Sequence, residues 1–311
     1  MSKKIFAEIQ KTIVERLENA KASNWVQPWL PSLDVAINPY SNTVYSGFNQ
    51  FYLSISKEIK SFKANNWLTF NQAKNLNATI IKGEKATPIM FYQSFYKNEK
   101  GEHLTVEDVK KLMAETGKTF AELNLIKRAF IKFFFVFNVA QIEGLPQEYY
   151  NGKVNNNLDF KGCEAAENIL VNSKAKLHYI VGNDAFYDVQ NDEIVLPERN
   201  QFVSVEHFYD TAFHELSHWS GAKHRLNRKV KNPFGSEKYA FEELVAELSS
   251  AFICGSINLK KEYSNNAAYL NTWLQAFKND IQVLFKAAAA AQKSADYLLQ
   301  YVDVNQLEMV A

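Results

Sequence analysis

The segment at 211–228, TAFHELSHWSGAKHRLNR, contains three of the six histidines of the chain. Within it, His214, Glu215 and His218 form the pattern His-Glu-x-x-His. On a helix the two histidines lie one turn apart on one face, where two imidazoles can bind the same metal ion. The glutamate lies at the edge of that face, where its carboxylate can take a proton from a water held by the ion. The spacing therefore predicts a metal site with Glu215 as its catalytic base.

Two residues compete to be the third ligand of this site. His224 follows Gly221 at the spacing His-x-x-Gly-x-x-His, which is used by metzincin-type sites. Glu243 lies on a second predicted helix, residues 239–252, on the face opposite its apolar residues. Glu247 lies one turn further along that face, from which it could orient His214 or His218.

We favour Glu243 over His224 as the third ligand. A metzincin requires a methionine turn after its third histidine, and the only later methionine, Met309, is two residues from the end of the sequence. In addition, Lys223 and Arg225 flank His224 with positive charge, which is unfavourable beside a dication. His224 is therefore predicted to lie in the loop that follows the helix.

The predicted metal-bearing helix at 205–219 has a continuous apolar stripe that would pack against a core. Its members are Val205, Phe208, Tyr209, Ala212, Leu216 and Trp219. Further helices are predicted at 5–17, 163–171, 267–292 and 295–302. Strands are predicted within 79–92 and 131–139, and at 176–181, 185–189 and 193–196. The fold class that follows is α+β.

The two halves of the chain differ in charge. Residues 1–155 contain 20 basic and 14 acidic side chains, whereas residues 156–311 contain 15 and 20. The basic half also contains many aromatic residues, and a combination of cations and flat rings is typical of surfaces that bind single-stranded nucleic acid. The alternative is that these rings form a core, and RAFIKFFFVFNV at 128–139 has the composition of a buried strand. The candidate nucleic-acid contacts are Tyr45, Asn49, Trp67, Lys82 and Lys85.

Length and composition predict two domains in a protein that is not exported. A chain of 311 residues, 47% of them hydrophobic, exceeds what one core usually contains. The polar run NGKVNNN at 151–157 is a candidate linker between domains at 1–150 and 156–311. The sequence has neither a long apolar run nor the apolar core of a signal peptide, and Cys163 and Cys254 have the surroundings of free thiols. We expect a cytoplasmic protein without membrane segments.

Several longer blocks carry a resemblance to a known family. They are DAFYDVQNDEIVLP, FHELSHWSGAKHRLNR and FGSEKYAFEELVAELSSAF in the C-terminal half, and YSGFNQFYL, NWLTFNQAKNLNATIIKGEKATPIMFY and FNVAQIEGLP in the N-terminal half. Across residues 5–255 the chain resembles the ArdC family of antirestriction proteins, which occur on conjugative plasmids and related mobile elements. It departs from the family in a charged insertion at 96–128.

The resemblance implies two domains: a small mixed α/β domain that binds single-stranded DNA, and a zincin-like metallopeptidase domain after it. The N-terminal domain of the family is also shared with some plasmid primases. The family pattern His-Glu-x-x-His followed by Glu-x-x-Ala-Glu matches this chain, and the match makes Glu243 the third ligand and includes Glu247. The cofactor implied is zinc or another divalent metal such as manganese.

Three functions are compatible with these observations. The first, which we favour, is an antirestriction protein that binds incoming single-stranded DNA and carries a metal site. The second is a zinc-dependent metallopeptidase that cleaves a host protein, with Glu215 as general base. The third is a non-catalytic DNA-binding scaffold whose metal is structural, which would differ in having four protein ligands and no open coordination position.

Overall fold

The structure is a computed structural model that describes residues 2–22, 35–98, 101–118, 121–150, 161–202, 204–233, 235–259 and 267–302. It divides into two compact units. The first unit combines residues 1–85 with 137–311, and the second consists of residues 86–136. These units do not coincide with the predicted domains 1–150 and 156–311, which stay a prediction. The candidate linker at 151–157 lies outside the described residues.

Ten α-helices and eleven short or long strands lie within the described residues. The helices are α1 (Ser2–Ala22), α2 (Gly47–Ile59), α3 (Phe70–Asn75), α4 (Val106–Thr116), α5 (Gln147–Tyr150), α6 (Lys161–Asn172), α7 (Val205–Ser220), α8 (Glu237–Ser256), α9 (Ala267–Asn279) and α10 (Gln282–Leu299). The strands are β1 (Ile37–Asn38), β2 (Thr43–Val44), β3 (Trp67–Thr69), β4 (Thr79–Ile80), β5 (Thr87–Lys97), β6 (His103–Leu104), β7 (Ile126–Asn138), β8 (Ile142–Glu143), β9 (Lys176–Ile180), β10 (Phe186–Asp188) and β11 (Glu193–Pro197). This mixture of helix and sheet confirms the predicted α+β class.

The core of the first unit joins helices from both ends of the chain. Helix α1 packs against α9, and α2 packs against α10. The ring of Phe285 on α10 lies 4.4 Å from that of Phe48 and 5.6 Å from that of Phe6, measured between centroids. The backbone N–H of Gly47 donates to Oε1 of Gln292 at 2.8 Å. The two N-terminal helices are therefore completed by helices that follow about 200 residues later in the sequence.

Helix α7 is supported by helices and by a small sheet. The sheet has the strand order β10–β11–β9, in which β10 is antiparallel and β9 parallel to β11. Both β10 and β11 contact α7, while α8 and α10 pack against its other sides. The predicted strands at 176–181, 185–189 and 193–196 agree with these elements. No helix among the described residues is long and apolar enough to cross a bilayer.

The second unit is built around one long antiparallel pair. Strand β5 pairs with β7 from Thr87 opposite Val136 to Lys97 opposite Ile126, and its far end also pairs with β6. The charged insertion at 96–128 supplies β6 and α4, whose first turn is closed by a capping box between Thr105 and Asp108. The sequence interpretation of 128–139 as a buried strand is wrong in one respect. Residues 128–138 lie in a strand, yet its phenylalanines at 134 and 135 are each 41% exposed.

Candidate metal centre

Local sequence signals set the limits of the two helices that carry the predicted metal ligands. Helix α7 starts where the Ser204 hydroxyl accepts the N–H of His207 at 3.1 Å, and Gly221 is its C-terminal capping residue. Helix α8 starts in the same way, since the Ser236 hydroxyl accepts the N–H of Tyr239 at 3.2 Å. Serine at this position satisfies a backbone donor that the helix leaves unpaired. The two serines therefore fix the residue at which each helix begins, and with it which residues lie on the same face.

Helices α7 and α8 are antiparallel and in close contact. Residue numbers in the polar contacts between them increase along α7 and decrease along α8. The pairs are Asp210 with Ser250, His214 with Glu247, and His218 with Glu242. The contact is filled by small residues, since Ser217, Ala246 and Ser250 are all fully buried. Because small side chains let two helix backbones approach closely, short polar side chains can meet across the interface.

Three of the predicted ligands converge at the centre of this contact. The Nε2 atoms of His214 and His218 are 3.1 Å apart. One carboxylate oxygen of Glu243 lies 3.5 Å from Nε2 of His214, and the other lies 3.5 Å from Nε2 of His218. One donor atom from each residue lies within 4.8 Å of the others, so this group could hold a metal ion.

The separations of these donor atoms fit a shared ion. Two ligands that are each about 2.0–2.1 Å from a tetrahedral ion are about 3.4 Å apart. The observed separations of 3.1 Å between the imidazoles, and of 3.5 Å from each imidazole to a different oxygen of Glu243, are close to that value. Three protein ligands would leave a fourth position for water or substrate, as in catalytic rather than structural zinc sites. Because two imidazoles and one carboxylate suit several first-row divalent ions, the donor set does not select zinc over manganese.

The other nitrogen of each imidazole meets a carboxylate of its own. Nδ1 of His214 lies 3.1 Å from Glu247, and Nδ1 of His218 lies 3.4 Å from Glu242. When Nδ1 of a histidine carries the proton, the lone pair of Nε2 points at the ion. The two outer carboxylates thus hold both rings in the orientation that a metal site requires. The sequence interpretation assigned such a role to Glu247 but missed Glu242.

Glu242 is fixed in turn by Arg228, which lies in the loop after α7. The guanidinium of Arg228 contacts both oxygens of Glu242, at 2.9 to 3.3 Å. It also donates to the Ser220 hydroxyl at 3.1 Å and to the Ser217 carbonyl. Gly221 makes room for this loop, because a Cβ there would lie 2.5 Å from Cγ1 of Val230 and 3.0 Å from Arg228. The glycine of the extended motif therefore serves loop packing.

Burial and charge act in opposite directions on the pKa values in the centre. Burial alone would lower the pKa of His214, but hydrogen bonds to Glu243 and Glu247 and the nearby negative charges raise it well above its ordinary value. Burial alone would raise the pKa of Glu243, but His214, His218 and a hydrogen bond from Tyr239 bring it below the usual range. Burial likewise opposes a lowering of the pKa of Glu242, which follows from His218 and Arg228. All these carboxylates are therefore held in their ionised form.

Glu215 is buried beside the two histidines, with 7% of its surface exposed. Its negative charge contributes to the raised pKa of His214. With Glu242, Glu243 and Glu247 it makes four buried carboxylates, against which Arg228 supplies one guanidinium charge. Buried charges are costly unless they are paired. A divalent cation would neutralise most of this surplus of negative charge.

His224 lies apart from this cluster. Its side chain is 65% exposed, and its Nε2 lies 3.4 Å from Asp192 and 2.7 Å from the Arg225 guanidinium. Arg225 in turn lies 3.8 Å from the ring of Trp219 and is bonded to Asp192. The structure therefore brings Glu243, and not His224, to the two imidazoles. Tyr187 is bonded to the same Asp192 at 2.7 Å.

The predicted nucleic-acid contacts fall into a buried group and an exposed pair. Trp67 is fully buried and its indole N–H donates to Asn65 at 2.7 Å, so no face of its ring is open to a base. Tyr45 is half-buried, and its hydroxyl donates to the Trp67 carbonyl at 3.3 Å. Burial, partly opposed by Asn38, raises the pKa of Tyr45 to about 12. Asn49 is half-buried in the first turn of α2, whose N-cap residue is Ser46.

The exposed pair is Lys82 and Lys85, in the turn between β4 and β5. Gly83 between them has a φ of +95°, which glycine adopts without strain. Glu84 points elsewhere in the first unit, since its carboxylate accepts from the Gln141 amide at 2.6 Å. Glu84 is therefore bonded to Gln141, while Lys82 and Lys85 face solvent.

Two family models match consecutive parts of the chain. Residues 3–137 match the N-terminal domain of the anti-restriction factor ArdC, and residues 164–290 match a zincin-like metallopeptidase. Two Escherichia coli proteins named DNA primase TraC are 33% and 32% identical over 96% and 97% of this chain. The chain spans only 20% and 27% of the length of these primases. An uncharacterized protein of Sinorhizobium fredii, y4eC, is 29% identical over 94% of this chain and 91% of its own length.

Two solved structures are similar over almost the whole chain. Both are of the antirestriction protein ArdC from plasmid R388, one metal-free and one with bound Mn(II). The metal-free structure gives a TM-score of 0.71 at 27% identity, and the Mn(II)-bound structure gives 0.68 at 28% identity. Each comparison covers 95% of this chain and 97% of the other. The fold is therefore shared over almost the whole length of these chains.

Proposed function

Because the chain belongs to the ArdC family of antirestriction proteins, we propose that it protects incoming DNA from restriction by binding it as a single strand. The observation that carries this proposal is the presence, in one chain, of the ArdC N-terminal domain and a complete set of two histidines and a glutamate. The protein would act in the cytoplasm, where transferred DNA meets the nucleases of the recipient.

The N-terminal half would bind the single-stranded DNA. Its excess of basic side chains favours phosphate binding, and Lys82 and Lys85 are exposed on a turn whose acidic residue is already bonded to Gln141. Cations that bind phosphates give an affinity that falls with salt and does not depend on base sequence. Tyr45 and Asn49, which are half-buried, would add further contacts, whereas Trp67 is buried and would support Tyr45 from within.

The C-terminal half would hold a divalent ion through His214, His218 and Glu243. When bound, such an ion polarises a carbonyl or phosphoryl oxygen and makes water a stronger nucleophile. Glu215 would accept a proton on its carboxylate and pass it on to the leaving group. Glu247 and Glu242 would keep both imidazoles oriented throughout, since each is bonded to an Nδ1 atom.

A second candidate function is cleavage of a host protein by the same site. It is favoured by the match of residues 164–290 to a zincin-like metallopeptidase and by the position of Glu215 within His-Glu-x-x-His. In this case protection of DNA would follow from removal of a protein that restricts it, and the N-terminal half would recruit the complex of that protein with DNA.

Binding of a fluorescent single-stranded oligonucleotide to the full chain, measured by anisotropy across a salt series, tests the proposal. We expect binding that an unlabelled duplex competes for poorly. The double variant Lys82→Ala, Lys85→Ala should reduce the slope of log K against log salt by about 1.4, at about 0.7 for each lost phosphate contact. The absence of binding by the wild-type chain at low salt would exclude this function.

Restriction of an incoming plasmid in cells separates the two candidates. Glu215→Gln removes the base but leaves the three metal ligands, while Lys82→Ala with Lys85→Ala weakens the grip on DNA. Protection that survives Glu215→Gln and is lost in the lysine variant supports binding as the protective step. Loss of protection in Glu215→Gln supports the peptidase, whether or not the lysine variant also loses it.

A further inference from the structure

The long strand pair of the second unit carries an unusual composition. Strands β5 and β7 contain nine aromatic residues and four basic ones, at positions 97, 127, 128 and 132, and no acidic residue. Strands of a protein core do not need cations, and strands that face solvent do not need so many phenylalanines. The pair therefore combines the two residue classes that single-stranded nucleic acid binding requires.

The register places three of these residues together on one face. Lys132 pairs directly with Phe91, and Phe134 is two residues along the same strand, so all three side chains are on the same side of the pair. The rings of Phe91 and Phe134 are 6.3 Å apart and nearly perpendicular, at 82°. Nζ of Lys132 lies 5.2 Å from the centre of the Phe134 ring. We call these three residues the aromatic face.

The aromatic face is open. Phe91 is 49% and Phe134 41% exposed, and Lys132 is exposed between them. Further along the same face, Phe95 is covered by His103, whose ring is stacked on it at 4.5 Å and 15°. Two neighbouring phenylalanine rings that are both exposed to this extent indicate a binding surface.

We propose that the aromatic face is a stacking platform for the bases of single-stranded DNA, with Lys132 beside the phosphate of the stacked nucleotide. The inference rests on the proposed function and deepens it, because the DNA contacts predicted from the sequence all lie in the first unit. A base has a flat face open to a phenylalanine ring only when it is unpaired, so this surface favours single strands over duplex. Binding to this surface would not depend on base sequence, since every base has such a flat face.

Charge distinguishes this ligand from a second copy of the chain. An apolar interface between two proteins would have to remove water from the ammonium group of Lys132 without providing a partner. A nucleotide provides a ring for Phe134 and a phosphate for Lys132 at the same time. The face therefore fits an anionic ligand that carries planar rings.

The chain contains a matched control for this proposal. Phe134 and Phe135 are adjacent on β7, are equally exposed at 41%, and point to opposite sides of the strand pair. Replacing either by alanine removes the same amount of ring from the same strand. Only Phe134 belongs to the aromatic face.

The experiment uses the full chain and a short fluorescein-labelled oligothymidylate, with anisotropy measured over a salt series. We expect Phe134→Ala and Phe91→Ala to weaken binding on the order of 10-fold each without changing the salt slope, since stacking involves no counterion. Lys132→Ala should lower the slope by about 0.7. Phe134→Tyr, which keeps a ring, should bind like the wild type, and so should Phe135→Ala.

Three results would overturn the proposal. The first is wild-type binding by Phe134→Ala, and the second is an equal loss in Phe134→Ala and Phe135→Ala. The third is a wild-type chain that self-associates in light scattering and becomes monomeric in Phe134→Ala with unchanged DNA affinity, which would make the face a dimer interface. Failure of the wild-type chain to bind the oligonucleotide would instead exclude the proposed function itself. Thermal unfolding of each variant identifies a loss of binding caused by misfolding.

Discussion

The metal centre and the aromatic face both depart from the usual burial of residues: one buries carboxylates, and the other exposes aromatic rings. Between α7 and α8, the carboxylates of Glu242, Glu243 and Glu247 are buried. On the strand pair of the second unit, the rings of Phe91 and Phe134 are exposed. Ordinary proteins bury rings and expose carboxylates.

The difference between the two regions concerns how each departure is stabilised. Two buried carboxylates of the metal centre have their own partners within the protein: Glu247 has His214, and Glu242 has both His218 and Arg228. The aromatic face differs, because its two rings contact each other and Lys132 and yet remain 49% and 41% exposed. The partners of the buried carboxylates hold these side chains in position for a cation, whereas the exposed rings present a surface that a ligand can cover.

The largest effect we expect is on metal binding after Glu243→Gln. This change removes one of three ligands while keeping the shape of the side chain, and it should weaken Mn(II) and Zn(II) binding more than the roughly 100-fold upper range for residues that only orient ligands. Titration calorimetry measures it. Glu237→Gln, on the exposed first turn of α8, is the matched control. Oligonucleotide binding should be unchanged, and a joint loss of both would contradict the separation of the two regions.

The next effect is on the orientation of the imidazoles. Glu247→Gln and Glu242→Gln should each weaken metal binding by about 10- to 100-fold, because each carboxylate fixes an Nδ1 atom. The two variants should differ in stability, since only Glu242→Gln leaves the charge of Arg228 without its partner. Calorimetry together with urea unfolding measures both quantities. If neither change altered the affinity for metal, the outer carboxylates would have no orienting role.

A smaller effect is expected from Gly221→Ala. The added methyl group would overlap Val230 and press on Arg228, so we expect a loss of about 1–3 kcal/mol in the free energy of unfolding. Gly182→Ala is the control, since a Cβ at Gly182 would meet nothing within 4 Å. Urea unfolding of both variants measures the difference. An equal stability of the two would mean that the loop moves aside at no cost.

The smallest effect is expected on stability in Phe134→Ala. An open ring contributes little to the core, so the free energy of unfolding should change by no more than about 0.5 kcal/mol. The same urea experiment measures it. A loss as large as that of Gly221→Ala would show that Phe134 is a structural residue, and it would remove the contrast between the two regions.

The sequence predicted both helices of the candidate metal centre, and the three candidate ligands that the structure brings together, because residues on each helix repeat with the helical period. Val205 and Trp219 both fall on the stripe that marks α7, and the structure begins and ends that helix within one residue of them. Glu242 was missed because its role depends on the rotation of α8 against α7 and on Arg228, which reaches it from a loop. No local pattern contains that information.

The nucleic-acid contacts were harder to predict, because burial rather than residue type decides them. Trp67 has the right chemistry for stacking, yet it is buried and bonded to Asn65. The continuous aromatic run at 133–135 has no alternation of polar and apolar residues, so the sequence does not show which ring faces solvent. Exposure of Phe134 depends on which elements cover the strand, and that is a property of the tertiary structure.

The packing of α1 and α2 on α9 and α10 has a consequence for synthesis of the protein. The ribosome completes α2 at Ile59 but does not reach the start of α10 until Gln282. At about 5–20 residues per second, the first helices wait on the order of 10 to 45 seconds for their partners. During that interval Phe6 and Phe48 lack the ring that later joins them, so the nascent chain is a substrate for chaperones. A message truncated near the middle would yield a fragment that keeps these apolar surfaces exposed.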